Sequence, residues 1–268
     1  MKIFDVHTHI YPDKIAERAV DALGKFYDFV PEGKGTYADM TENDAKSGVN
    51  GFLLLCVATN AHQIRRANEA VADAVKRGRA DGFEAYGFGG MHPCENMEEE
   101  IGFCLDAGLS GIKIHPDIQG VDIDDPRLYP LYDAANGRFP IYFHIGDDRP
   151  QYRFSTPEKL SKIMKEFPRL VAVAAHLGGY MASDEALRYL CGCDRLWFDT
   201  SSALWAMTPE RADEIISRLG VSHMMFGTDY PVKLPETELP RFYRLSLTDK
   251  EREDVLYNNA KEFLRIQN

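Results

Sequence analysis

The 268-residue chain predicts one α/β domain, residues 1–268, folded as a (β/α)8 barrel of the TIM type. Three observations carry this. Eight short apolar runs of strand length recur along the chain, separated by polar turns and amphipathic stretches of helix length. The runs are near-continuous rather than alternating, which is how parallel strands buried on both faces read. Polar residues collect at their C-terminal ends, where barrels of this kind carry their chemistry.

The first strand is Lys2-Ile3-Phe4, leading into Asp5-Val6-His7-Thr8-His9. Alternation puts His7 and His9 on one face, so two imidazoles can reach one cation, and neutral imidazole suits zinc, iron or nickel better than magnesium or calcium. Pro12 opens a helix with an apolar face of Ile15, Ala19, Leu23 and Phe26. Residues 30–35 break it, and so long an excursion between the first two strands predicts a mobile lid over the strand ends. A helix starting near Thr41 and stopping at Gly48 precedes the second strand, 52–57. The remaining strands fall at 85–88, 111–115, 141–144, 171–176, 196–199 and 224–229. Helices at 60–77, 95–107, 126–136, 157–167, 184–190 and 209–219 lie between them, and a last one spans 248–264.

The strand ends present His7, His9, Lys113, His115, His144, His176, Asp199 and Asp229. Buried separately, each would need its own partner; a shared metal centre accounts for them together. The formal net charge of -11 disfavours nucleic acid as substrate, and no run of about 18 apolar residues is present for a membrane span. The N-terminus lacks the basic and apolar regions of a signal peptide, and five cysteines form no disulfide framework, so a cytoplasmic protein with reduced thiols is expected. The expected partner is a small molecule. Association into a homo-oligomer through exposed helix faces is left open.

Taken together, Asp5-Val6-His7-Thr8-His9, Gly111-Ile112-Lys113-Ile114-His115-Pro116, His144-Ile145-Gly146, Ala175-His176-Leu177-Gly178-Gly179 and Gly227-Thr228-Asp229-Tyr230-Pro231 resemble the amidohydrolase superfamily, in its amidohydrolase-2 branch. That branch contains metal-dependent hydrolases and non-oxidative decarboxylases. The resemblance implies that His7, His9, His144 and Asp229 bind one divalent metal per chain, zinc, with His176 as the neighbouring acid or base. Such a set leaves a position for water, whose proton Asp229 can take and deliver. In some superfamily members a carbamylated lysine on the fourth strand bridges two metals; Lys113 would then do so, with His144 and His176 on the second ion. The favoured reading keeps Lys113 unmodified, neutralising carboxylates or meeting a substrate anion. His115 is a further substrate-binding candidate, and Arg149, Arg153 and Lys233 are cations that could hold a carboxylate. Asp199 is read as an orienter of a ligand histidine.

The expected activity is hydrolysis of an amide, lactone or related bond in a small anionic molecule, by metal-activated water. The alternative is non-oxidative decarboxylation of an aromatic or unsaturated acid at the same site, and the compact chain tilts the reading to hydrolysis. A TatD-like nuclease is disfavoured, because Lys113 stands where those enzymes have an acidic residue.

Overall fold

The computed structural model describes residues 1–265 and contains one sheet of eight parallel strands in the order β1-β2-β3-β4-β5-β6-β7-β8. The strands are β1 Phe4–Thr8, β2 Gly51–Leu55, β3 Glu84–Gly90, β4 Ile112–Ile114, β5 Ile141–Phe143, β6 Ala172–Ala174, β7 Leu196–Asp199 and β8 Met224–Met225. The ring closes where Val6 N–H donates to Phe226 O at 2.9 Å and Thr8 bridges Tyr230. This is the (β/α)8 barrel expected from the apolar runs.

The helices are α1 Asp13–Tyr27, α2 Tyr37–Ser47, α3 Ile64–Ala80, α4 Met97–Asp106, α5 Pro116–Gln119, α6 Tyr129–Ala135, α7 Pro157–Glu166, α8 Ser183–Tyr189, α9 Pro209–Leu219, α10 Pro235–Phe242, α11 Asp249–Glu253 and α12 Asn259–Arg265. Their starts follow capping chemistry. Thr156 and Thr208 each accept a backbone N–H at the first turn, with Pro at the first helical position. Thr36 does the same for α2, accepting from Asp39 N–H, so that helix begins four residues before the start read at Thr41. Helix α10 escaped the sequence reading because it holds Pro235 at its start and Pro240 inside.

Two apolar layers form. One lies between strands and helices, and the other fills the barrel with Phe4, Val6, Leu53, Leu55, Phe88, Tyr142, Val173, Trp197 and Met225. Phe263 of α12 packs on Phe88 and Trp197, with ring centroids 6.1 and 5.5 Å away. The barrel is thus plugged by side chains and leaves its other end for chemistry.

The excursion after α1 lies against the β8 loop. Gly33 N–H donates to Pro231 O at 3.0 Å, Gly35 N–H to Tyr230 Oη at 3.0 Å, and Lys233 Nζ meets Glu32 Oε1 at 2.8 Å. A Cβ at Gly33 would sit 2.5 Å from the Tyr230 ring, so only glycine allows this approach. Among the described residues no helix is long and apolar enough to cross a membrane.

Candidate metal centre

Three sequence-read residues converge at the open end. His7 Nε2 lies 3.1 Å from His9 Nε2, and Asp229 Oδ1 lies 3.2 and 3.5 Å from those nitrogens. The other ring nitrogens fix the tautomers: His9 Nδ1 donates to Leu55 O at 2.7 Å, and His7 Nδ1 donates to Asp199 Oδ2 at 3.0 Å. Two nitrogen lone pairs and a carboxylate oxygen therefore face one point. Left alone they repel; about a divalent ion, donors at about 2.0–2.2 Å stand roughly 3–3.5 Å apart, which is the spacing found. The donor set fits a divalent metal. Burial pulls the His7 imidazole down to about 3, helped by the Lys113 charge, so it is neutral and ready to ligate. Burial opposes ionisation of Asp229, yet beside these imidazoles its carboxyl stands well below the usual range, which makes it the anionic member of the set.

Asp199, at the end of β7, anchors the next layer. Its carboxylate accepts from His7 Nδ1, from the Tyr142 hydroxyl, from His176 N–H at 3.1 Å and from Ser201 N–H at 2.8 Å. The contact with His7 is the one that the expected orienting role requires. Ser202 Oγ donates to Asp229 Oδ2 at 2.5 Å. His176 and Asp229 are both left-handed, with φ of 62° and 63°, a conformation costly outside glycine that the surrounding hydrogen bonds impose at the ends of β6 and β8.

His144 sits beside the trio rather than within it. Its Nδ1 is 2.9 Å from His176 Nε2, and its Nε2 is 3.4 Å from Asp117 Oδ2 and from Tyr27 Oη. His176 Nδ1 is 3.0 Å from Ser201 O and so carries that ring's hydrogen, leaving Nε2 as its active atom. His115 stacks on His144, centroids 3.9 Å apart. Lys113 is fully buried, its Nζ finds no hydrogen-bond partner among the described residues, and it lies 4.8 Å from the Tyr142 ring centroid. Burial pulls its amine down to about 8.

The loop cations are not free. Arg149 Nε and Nη2 bind the Asp147 carboxylate at 2.9 and 2.6 Å, Arg153 binds Glu185 at 2.8 Å and Lys233 binds Glu32. Arg149, expected as a cation for the substrate, has its charge paired with Asp147; sequence shows a charge but not its partner. Tyr27, Tyr142, Asp117, Ser201 and Ser202 were missed. Only Asp117, two residues past His115, carried a spacing signal.

A family model described as amidohydrolase matches residues 4–266. Among curated proteins, 2-amino-3-carboxymuconate-6-semialdehyde decarboxylase of Dictyostelium discoideum is 24% identical over 216 residues, 66% of this chain. The match spans 59% of that relative's length. Among solved structures, an uncharacterized TIM-barrel protein of Bordetella bronchiseptica matches with a TM-score of 0.81 at 21% identity, covering 100% of this chain and 99% of that one. A 2,6-dihydroxybenzoate decarboxylase complexed with 2,6-dihydroxybenzoate matches at 0.74 and 15%, covering 99% of each chain. A dihydroxybenzoic acid decarboxylase of Polaromonas, with bound manganese and 2-nitroresorcinol, matches at 0.72 and 14%, covering 100% of this chain and 98% of that one. At these identities the structural likeness is one of fold. The expectation of hydrolysis is overturned by the named activities of these relatives, which are decarboxylations. Compactness does not separate the reactions, since the fold match covers 99% of the dihydroxybenzoate decarboxylase chain, and one ligand set can serve both.

Proposed function

The chain belongs to the amidohydrolase family, and from that premise we propose that it is a metal-dependent non-oxidative decarboxylase of a small aromatic or unsaturated carboxylic acid. The observation that carries the reading is the activity of the curated relative that aligns with 66% of the chain. The site's charge pattern supports it: a cation site of His7, His9 and Asp229 and an unpartnered Lys113 are two positive features in one buried end of the barrel.

His7, His9 and Asp229 would hold the metal; His144, which stands beside them, would complete the set only by turning a ring nitrogen away from His176 or from Asp117 and Tyr27. Zinc or manganese suits two or three imidazoles and a carboxylate. When bound, the ion supplies Lewis acidity to the oxygens of the substrate. Lys113 offers the substrate anion the partner that its own ammonium lacks. The reaction breaks the bond between the carboxylate carbon and its neighbour, releases carbon dioxide and adds one proton to the carbon left behind. His176 is suited to relay that proton: its Nδ1 hydrogen is committed to Ser201 O, so Nε2 is the atom that takes a proton from solvent, and burial, which lowers its affinity for this second proton, favours passing it on to the carbon. Asp199 keeps His7 and the backbone of His176 in register throughout.

The test is carbon dioxide release from a panel of hydroxybenzoates and unsaturated diacids, with zinc- and manganese-loaded protein in deuterated water. The expected product carries one deuterium at the vacated carbon. Loaded protein that releases no carbon dioxide from any member would overturn the assignment.

A further inference from the structure

We propose that Tyr27, carried in by α1, is a substrate-contacting residue of this site, its hydroxyl donating to a substrate oxygen, and that Arg149 is the latch that positions it. The proposal rests on the decarboxylase reading. Helix α1 is a weak anchor by itself, since only Ala16 and Gly24 of its fifteen residues are buried. Its last residue nonetheless reaches the site: Tyr27 Oη lies 3.0 Å from His115 Nε2 and 3.4 Å from His144 Nε2.

The polarity of these bonds is set by the backbone. His115 Nδ1 accepts Ile118 N–H at 3.4 Å as the cap of α5, so its Nε2 carries the ring hydrogen and donates to the Tyr27 oxygen. The hydrogen of Tyr27 then points away from His115 towards His144, whose Nε2 lies 3.4 Å off as a long, weak acceptor that a substrate oxygen can replace. Aromatic faces surround it. The Tyr27 ring meets Tyr180 edge-on at 5.3 Å and stacks on Phe29 at 5.9 Å, while Tyr180 lies 5.9 Å from His176. A planar acid bearing an oxygen acceptor suits such walls.

The latch is built around Arg149. Its Nη1 donates to Phe26 O at 2.6 Å, and its guanidinium lies 5.0, 5.4 and 4.3 Å from the ring centroids of Phe26, Tyr27 and Tyr152. Asp147, buried and extended into positive φ at 151°, takes the other two donor positions and fixes the plane of the fork. Asp28 closes the helix in the left-handed region at φ 58°, and a Cβ on Gly24 would come within 2.7 Å of Phe29 O, so the chain folds back there only over glycine. A helix with so little buried surface gains one thing from this arrangement, which is a fixed Tyr27.

The experiment compares wild type, Tyr27→Phe, Arg149→Ala and the double variant, all metal-loaded, on whichever acid of the panel releases carbon dioxide. Tyr27→Phe keeps the ring and removes only the donor; KM should rise about 10-fold with kcat within about 3-fold and metal per chain unchanged. Arg149→Ala should raise KM similarly, yet add less than about 2-fold on top of Tyr27→Phe, because both act through one hydroxyl. An unchanged KM in Tyr27→Phe, with wild type active, overturns the proposal and leaves the decarboxylase reading standing. Additive effects of the two substitutions overturn the latch. Wild type that releases carbon dioxide from no acid overturns both readings.

Discussion

At Lys113 the proposed function and stability oppose each other in a single residue. A fully buried ammonium without a hydrogen bond has lost its hydration and gained only the Tyr142 ring and distant carboxylates. Lys113→Met should therefore stabilise the protein by about 1–3 kcal/mol in denaturant titration, weaken binding of the acid about 10-fold or more, and leave metal per chain unchanged. A metal count that falls by half would instead mean a carbamate bridging two ions. Asp199→Asn keeps the shape but removes the charge that orients His7, and should weaken metal binding about 10- to 100-fold in a chelator competition; unchanged affinity would sink the orienting role. At this scale the sequence was informative where chemistry sits on strand ends. His7, His9, Asp229 and Asp199 could be read because each ends an apolar run. Arg149 could not, because its partners Asp147 and Phe26 O are set by how two loops meet, and Tyr27 could not, because an aromatic residue on an amphipathic helix ordinarily packs.

Helix α10 illustrates what an element conceals. Its two prolines mask it in the sequence, and it buries Glu238, whose Oε1 accepts from Arg241 at 2.8 Å while Oε2 has no partner among the described residues. Burial pushes the Glu238 carboxyl up to about 7, against the pull of Arg241 and Lys233. Between the usual glutamate value of 4.5 and about 7, the folded chain holds a proton that the unfolded chain has released. Stability from this group is thus present at low pH and is lost as pH rises through that window. Glu238→Gln should remove about 1–3 kcal/mol of that loss, so the variant exceeds wild type at pH 7.5 and approaches it at pH 5 in urea melts. An equal gap at both pH values would mean that the carboxyl is ionised throughout. Strand boundaries suffered differently. The run read as 224–229 contains only Met224–Met225 as strand, since the chain past Phe226 already turns to aim Asp229.

The barrel as a whole was legible because eight buried strands need eight apolar runs, and a polar residue ending such a run has to be accommodated by the site. The reaction was not legible, because the motifs locate ligands and leave open what the bound carboxylate or carbonyl does next. The same architecture separates the two ends energetically. Phe263 of α12 fills the barrel end against Phe88 and Trp197, while the His7, His9 and Asp229 trio is held by Asp199, Leu55 O and Ser202. Between them lies a layer of large side chains, Tyr142 among them, whose hydroxyl is tied to Asp199. Phe263→Ala should cost about 3–5 kcal/mol by opening a cavity in that plug. Metal per chain and KM, measured well below the variant's melting point, should equal those of wild type. The link to watch is Tyr142, whose ring lies 6.1 Å from that of Phe88 and whose hydroxyl is tied to Asp199: if the cavity lets it settle, its hydroxyl leaves Asp199, His7 loses its orientation, and metal affinity falls together with stability. A folded Phe263→Ala protein with weakened metal binding, restored in neither property by raising substrate, would therefore show that the plug sets the site through Tyr142 rather than merely supporting the barrel.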